Sequence, residues 1–258
     1  MYAPVLELRD GPFESRESAP ESTAIVGRSL LTKTVADPNS SPASREQYRQ
    51  LAATLHNAQA NTGVKAIMIA SAVGGEGKTL TAANLGLTFA ESYKRRVLLV
   101  DADLRRPSLH RIFGIDDSAG CEEPPAQSWT ACVRQVKPRL GLLTRNHPSS
   151  APMADLTSTR MRQVIDEARH LVDWIIIDTP PIALLPDASL LASMVDGTVI
   201  VVRAGSTPLD LVKRAVDALD SKKTLGVVLN AARKQAVDPR YGYENYYRRI
   251  ESNQAKEL

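Results

Sequence analysis

Residues 71–79 read Ser71-Ala72-Val73-Gly74-Gly75-Glu76-Gly77-Lys78-Thr79, with an apolar run (66–70) before them and a helix-compatible run (80–93) after them. Glycines allow successive backbone N–H groups to turn toward one point, and the N-terminus of the following helix adds its partial positive charge. A phosphate group fits at such a point. The sequence therefore predicts a strand, a phosphate-binding loop and a helix in succession.

The loop has the pattern of a P-loop nucleotide enzyme, G-x-x-x-x-G-K-[ST], with Ala72 in place of the first glycine. Lys78 is predicted to reach the β- and γ-phosphates, and the Thr79 hydroxyl is predicted to hold Mg²⁺. The predicted nucleotide contacts are consecutive along the loop and the first turn of the helix. They are Gly74, Gly75, Glu76, Gly77, Lys78, Thr79 and Leu80.

Carboxylates follow two other apolar runs, 97–100 and 174–177. Four consecutive apolar residues are typical of a strand buried on both faces of a parallel sheet, and such sheets bind ligands at the carboxyl ends of their strands. Asp101 and Asp103 follow the first run, and because side chains alternate along an extended chain, both are predicted to project to one side. Asp178 follows the second run in the position of a Walker B carboxylate, which binds Mg²⁺ or its waters.

Apolar runs alternate with helical patterns along most of the chain. This alternation predicts an α/β fold: a doubly wound, mainly parallel sheet with helices on both faces. A short helix is predicted near 109–115. The mixed composition of the residues from there to 137 predicts an irregular connection. Helices are predicted at 42–60, 155–172, 187–194 and 207–220, and further strands at 140–144, 197–202 and 225–230.

The bulk properties fit one large domain with tails. The chain has 258 residues, a hydrophobic content of 43% and a net charge of +3, which is too small to indicate nucleic-acid or membrane binding. No apolar run approaches the roughly 18–20 residues that span a bilayer, and the N-terminus is not typical of a secretory signal. Cys121 and Cys132 lack metal-like spacing and are predicted to be unpaired thiols in a reducing compartment. The predicted location is the cytoplasm.

Composition divides the chain into three parts: a flexible N-terminal tail (1–40), a nucleotide-binding domain (41–232) and a C-terminal tail (233–258). Four of the seven tyrosines stand close together in the last part, at Tyr241, Tyr243, Tyr246 and Tyr247. Their neighbours are polar and no strand or helix period fits them, so they are predicted to be displayed to solvent. Packing of these tyrosines on the edge of the sheet is the alternative.

Three nucleotide motifs in this order, followed by a tyrosine cluster, resemble the bacterial tyrosine autokinases of capsule and exopolysaccharide systems, often called BY-kinases. The motifs are the loop at 71–79, a second Walker A-type segment at 98–107 and a Walker B segment at 175–181. The resemblance implies an ATP- and Mg²⁺-dependent protein tyrosine kinase. Its substrates would be the tail tyrosines, phosphorylated in trans.

The resemblance also implies residue roles. Lys78 would polarise the β- and γ-phosphates, and Asp178 with Thr79 would hold the metal. Asp101 would accept the tyrosine proton with assistance from Asp103. Asn230, at the end of the last strand, stands where related P-loop ATPases contact adenine.

Assembly and partners are implied in the same way. Family members form rings with the help of a Glu-x-x-Arg-x-x-Arg motif, of which this chain keeps Glu46 and Arg49 but has Ala52 at the third position. A separate membrane protein, the chain-length determinant, would activate the kinase and recruit it to the inner face of the plasma membrane. The kinase would then regulate polysaccharide polymerisation, chain length and export.

Two other hypotheses fit the loop. The first is a partitioning or division-site ATPase that acts as a nucleotide switch, but such proteins carry a lysine before the paired glycines, where this chain has Val73. The second is a degenerate regulator without catalysis. The intact set of lysine, threonine and aspartates disfavours it.

Overall fold

The computed structural model describes residues 30–115, 129–182, 187–219 and 221–232. Within these ranges seven strands form one sheet. They are β1 (Ala66–Ser71), β2 (Val97–Asp101), β3 (Arg134–Lys137), β4 (Leu140–Leu143), β5 (Trp174–Asp178), β6 (Gly197–Arg203) and β7 (Thr224–Asn230). The helices are α1 (Pro42–Thr62), α2 (Lys78–Glu91), α3 (Leu109–Phe113), α4 (Pro152–Thr157), α5 (Thr159–Leu171), α6 (Asp187–Ala192) and α7 (Leu209–Asp217).

The strand order is β3-β4-β2-β5-β1-β6-β7. All neighbouring strands run parallel except β3 and β4, which are antiparallel. β1, which leads into the phosphate loop, lies between β5 and β6. β2 pairs with β5 in a register that places Asp101 opposite Asp178. The predicted α/β fold with a mainly parallel sheet is confirmed.

Both faces of the sheet carry a core. Every residue of β1, β2 and β5 is buried, as expected of continuous apolar strands covered on both sides. One face packs against α2, and there Phe89 stacks on Trp174 with ring centroids 4.6 Å apart. The other face packs against α5 through residues such as Val164 and Ile165. None of the helices in the described ranges is both long enough and apolar enough to cross a bilayer.

Helix α1 begins where the sequence predicts. The Ser41 side chain accepts a hydrogen bond from the Ser44 N–H at 3.1 Å, and Pro42 occupies the first turn. The helix ends at Gly63, whose φ of 74° suits a left-handed C-cap. Ala52 and Leu55 bury its inner face against the core that contains α2.

The single helix predicted at 155–172 is wrong in one respect, because it is two helices, α4 and α5. Ser158 separates them in an extended conformation with φ of −61° and ψ of 145°. Its hydroxyl accepts a hydrogen bond from the Met161 N–H at 3.3 Å, which caps α5. The apolar spacing continues across this junction, so periodicity alone did not show the break.

Three further differences concern regions that composition described poorly. Residues 134–137, predicted to be irregular, form the antiparallel edge strand β3. Cys132 is disulfide-bonded, so the prediction of an unpaired thiol is wrong for this residue. Residues 30–40 were assigned to a flexible tail, but they form a 3₁₀ turn and bends that pack on the domain. The Val35 N–H donates to the Asn84 side chain at 2.8 Å, and Thr34 is buried.

Candidate nucleotide-binding and catalytic site

The predicted catalytic residues meet at the carboxyl edge of the sheet. Lys78 is the first residue of α2, and its Nζ lies 3.6 Å from Oδ2 of Asp103. Both side chains are only 11% exposed, so little water screens the pair. Asp103 also accepts a hydrogen bond from the Arg106 N–H at 3.1 Å, which fixes the carboxylate. The lysine is thus held at the mouth of the phosphate loop.

Asp101 is anchored through one oxygen. Its Oδ2 accepts hydrogen bonds from the N–H groups of Ser108 and Leu109, at 2.8 and 2.9 Å, and from the Thr144 hydroxyl at 3.3 Å. Its Oδ1 is buried and has no hydrogen-bond partner in the part of the chain that the structure describes. Burial raises the pKa of Asp101 to about 6, against the effect of the two backbone donors. One oxygen is therefore held in place while the other remains available to a ligand.

Asp178 ends β5 and is completely buried. Within the described ranges neither of its carboxylate oxygens has a hydrogen-bond partner. Burial raises the pKa of Asp178 to about 8, although the positive charge of Lys78 and the nearby Thr79 hydroxyl lower it. A buried carboxylate without donors is costly, and a cation or its bound waters would supply what it lacks.

These residues fit a Mg²⁺ ion of the P-loop type. Among the residues that the structure describes, no three His, Cys, Asp or Glu side chains converge as a metal cage. Mg²⁺ in nucleotide enzymes does not need such a cage, because substrate phosphates and waters supply most of its ligands. Thr79 lies at the start of α2, and its hydroxyl accepts from the Ser108 hydroxyl at 3.4 Å. Together with the two oxygens of Asp178 and Oδ1 of Asp101, it provides hard oxygen ligands.

The loop is held by the side chain of Glu76, which is 1% exposed. Its Oε2 accepts from the Val73 N–H at 2.8 Å. Its Oε1 accepts from the Arg203 N–H at 3.2 Å and from the Thr207 hydroxyl at 2.6 Å. Protein donors therefore engage the carboxylate of Glu76, and the backbone N–H is the group that remains for the predicted nucleotide contact.

Asn230 also contacts the loop. Its Nδ2 donates to the backbone oxygen of Glu76 at 2.7 Å, and its Oδ1 accepts from the Ala231 N–H at 2.8 Å. The amide approaches so closely that a Cβ at Gly77 would lie 2.1 Å from Nδ2. Gly77 also has a φ of 98°, so both the conformation and the space require glycine there.

A cavity of about 610 Å³ adjoins the loop. Three parts of the chain line it: Leu80 and Asn84 of α2, Asn230 with the end of β7, and the segment around Val35. Because Leu80 directly follows the phosphate-binding residues, the cavity begins where the phosphates would end. It is large enough for a nucleoside.

Two groups of predicted residues lie elsewhere. Glu46 and Arg49 form an ion pair of 3.7 Å on α1, with the arginine side chain 53% exposed. The four tail tyrosines lie outside the described residues. Arg203 and Thr207 were missed, although Arg203 ends a strand beside β1 and the rule that ligands bind at carboxyl ends of strands could have indicated it.

Comparison with known proteins agrees with this geometry. The ParA family, described as NUBPL iron-transfer P-loop NTPase, matches residues 63–246, most of the chain. The tyrosine-protein kinase YwqD of Bacillus subtilis is 35% identical over 203 residues, which cover 77% of this chain and 85% of YwqD. The chain belongs to the bacterial tyrosine-protein kinases. The predicted family and enzyme class are confirmed.

Solved structures give the same result. The kinase domain of the Escherichia coli tyrosine kinase ETK has a TM-score of 0.73 to this kinase at 27% identity, covering 86% of this chain and 87% of that domain. The cell division ATPase MinD of Pyrococcus furiosus has a TM-score of 0.54 at 25% identity. The division-site ATPases are thus the more distant likeness.

Some relatives are much longer. The succinoglycan biosynthesis transport protein ExoP of Rhizobium meliloti is 31% identical over 240 residues, which cover 88% of this kinase but only 30% of ExoP. This kinase therefore corresponds to one part of such a relative.

Proposed function

We propose that this kinase transfers the γ-phosphoryl group of ATP to tyrosines of its own C-terminal tail, in trans between copies. The observation that carries the proposal is the convergence of Lys78, Asp101, Asp103 and Asp178 beside one phosphate loop. The proposed acceptors are Tyr241, Tyr243, Tyr246 and Tyr247. The domain division of the sequence, with a tail at 233–258 after a nucleotide domain, belongs to the same proposal.

The nucleotide would lie along the loop and the adjoining cavity. Backbone N–H groups of 74–80 would bind the phosphates, and Lys78 would neutralise the charge on the β- and γ-phosphates. The base and ribose would occupy the cavity beside Leu80. Asn230 would use the second hydrogen of its amide for the base, because the first is engaged by Glu76.

The metal would be held by Thr79 and Asp178, directly or through water. Bound there, Mg²⁺ would offset the negative charge of the phosphates. The unpartnered oxygens of Asp178 support this assignment. The orphaned Oδ1 of Asp101 faces the same demand for a donor, which a ligand-bound water or the substrate hydroxyl would meet.

Asp101 would act as the proton acceptor. The tyrosine oxygen attacks the γ-phosphorus, the bond to the β,γ-bridging oxygen breaks, and ADP leaves with the bonding electrons. The phenolic proton passes to Asp101, whose pKa of about 6 leaves it mostly ionised near neutral pH while keeping it a stronger base than an ordinary aspartate. Asp103 would assist by holding Lys78 in position until the phosphates bind.

The proposed setting is polysaccharide export. The similarity to a succinoglycan biosynthesis transport protein supports it. The activator would be a separate membrane protein of the chain-length-determinant type, which recruits the cytoplasmic kinase to the inner face of the plasma membrane. Neighbouring copies of the kinase would meet through Glu46 and Arg49. Ala52 is fully buried, so the third position of the ring motif offers nothing to a neighbour.

The test is phosphorylation of the purified full chain with ATP and Mg²⁺, with the activator's cytoplasmic segment added. Mass spectrometry is expected to find phosphotyrosine on the peptide that contains 241–247, and none in a Lys78→Met variant. ATP hydrolysis without phosphotyrosine would instead indicate a switch ATPase. Replacing the four tail tyrosines by Phe is expected to remove most of the phosphate and leave nucleotide affinity unchanged.

A further inference from the structure

We infer that the carboxylate of Glu76 is a positioning residue, which sets the phosphate loop by fastening it to the turn after β6. The inference rests on the proposed nucleotide site. It assigns to Glu76 a role through its side chain, whereas a P-loop residue at this position is expected to act through its backbone alone.

Protein donors engage both oxygens of the Glu76 side chain. Glu76 lies inside the loop, yet its carboxylate accepts three hydrogen bonds from Val73, Arg203 and Thr207. One of these donors is in the loop, and the other two lie at the end of β6 and in the turn that follows it. A carboxylate that faced the phosphates would repel them. The three donors hold the Glu76 carboxylate against the protein instead.

The contacts fix both ends of the loop. The bond from the Val73 N–H closes a ring of four residues and sets the first half of the loop. The second half is held by the Arg203 guanidinium, which donates to the Gly75 backbone oxygen at 3.3 Å, and by the Asn230 amide. These partners come from β6, its following turn and β7. The N–H groups that would bind phosphate are therefore oriented by contacts outside the loop itself.

The turn is joined to β7 in the same network. The Ala204 N–H donates to the backbone oxygen of Asn230 at 2.9 Å, and the Thr207 N–H donates to the backbone oxygen of Arg203 at 3.2 Å. The loop, this turn and the end of β7 therefore share one hydrogen-bond network. The Glu76 carboxylate is the group in this network that accepts from both the loop and the turn.

The test compares Glu76→Gln with wild type in the full chain, using calorimetric titration of ADP with Mg²⁺. In either orientation the Gln amide presents its NH₂ group to a backbone N–H, that of Val73 or that of Arg203, so a hydrogen bond is lost and two donors face each other. The dissociation constant for ADP is expected to rise roughly tenfold. Thr207→Val is expected to raise it by a smaller factor, about threefold. The double variant should show less than the product of the two effects, because the residues share one contact.

Asp196→Asn is the matched control. This carboxylate precedes β6 at the opposite end of the strand and also bridges elements, since it accepts from the N–H groups of Lys65 and Ala66 and from Arg169. Its variant is expected to lower the melting temperature but leave the ADP dissociation constant within about twofold of wild type.

Two results would overturn the inference, and they can be told apart. If wild type binds ADP and Glu76→Gln binds it equally well while melting at a lower temperature, Glu76 only stabilises the fold. If wild type itself does not bind ADP, the proposed function fails and the inference fails with it.

Discussion

At the residue scale, burial of the Asp178 carboxylate costs folding free energy that a bound cation would offset. Asp178 has no exposed surface, and in the described part of the chain it has no hydrogen-bond partner. An unpaired buried acid of this kind costs folding free energy unless it takes up a proton or a cation. A metal ion bound beside Lys78 and Thr79 would supply the positive charge that compensates the Asp178 carboxylate.

The first prediction concerns pH. Because burial raises the pKa of Asp178 from 3.8 to about 8, the folded protein holds a proton that the unfolded chain releases between these values. The associated stability is present below the unfolded pKa and is lost as pH rises toward 8. In EDTA, the melting temperature of wild type is expected to fall relative to that of Asp178→Asn by about 4 °C or more from pH 5 to pH 8. If the melting temperatures of the two proteins change with pH in parallel across this range, the raised pKa of Asp178 is contradicted.

The second prediction concerns Gly77. Alanine there would place a Cβ 2.1 Å from the Asn230 amide on a backbone with φ of 98°. Gly77→Ala is expected to weaken ADP binding at least about tenfold, as measured by calorimetry.

Gly63→Ala is the control for this experiment. Its φ is 74°, but a Cβ at this position meets nothing within 4 Å, and it lies at the end of α1. It is expected to cost about 1 kcal/mol of stability without changing affinity. Equal affinity loss in both variants would show that the effect is general destabilisation.

At the scale of the elements, the buried strands and the edge strand β7 could be predicted, whereas the edge strand β3 could not. β1, β2 and β5 are apolar throughout because both faces are covered, and this leaves an unmistakable run in the sequence. β3 is an exposed or half-buried edge strand with the sequence Arg-Gln-Val-Lys, which has no such run. The break at Ser158 could not be predicted, because the apolar spacing continues across it and a single capping serine is the only sign of it in the sequence.

Contacts between residues far apart in the chain could not be predicted from the sequence either. Glu76 was predicted from the loop motif, but its partners at 203 and 207 are more than a hundred residues away. The fold places them together only because β6 lies beside β1. The aspartates could be predicted because Asp101 and Asp178 end recognisable strands and Asp103 lies two residues after the first of them.

The third prediction tests the segment before α1. Residues 30–41 pack on the domain through the Val35–Asn84 hydrogen bond and through Arg45, whose guanidinium donates to the backbone oxygens of Asp37 and Pro38 at 2.8 Å. The free energy of unfolding is expected to be about 2 kcal/mol higher for a chain that starts at Leu30 than for one that starts at Pro42. Urea denaturation followed by circular dichroism measures the difference. Identical midpoints would mean that the segment adds no stability.

At the scale of the whole molecule, the sheet brings every part of the site to one edge. The loop after β1, the aspartates after β2 and β5, and Asn230 at the end of β7 all lie at carboxyl ends of parallel strands. The tail that carries the tyrosines continues the chain from this same edge.

Phosphoryl transfer between copies is tested by mixing two complementary variants of the kinase. One chain carries Lys78→Met and keeps its tail tyrosines; the other keeps Lys78 and has Phe at 241, 243, 246 and 247. After incubation with ATP, Mg²⁺ and the activator segment, mass spectrometry is expected to find phosphotyrosine at 241–247 of the Lys78→Met chain, and none when either variant is incubated alone. No phosphotyrosine on that chain in the mixture, under conditions in which wild type is phosphorylated, would contradict transfer in trans from this site.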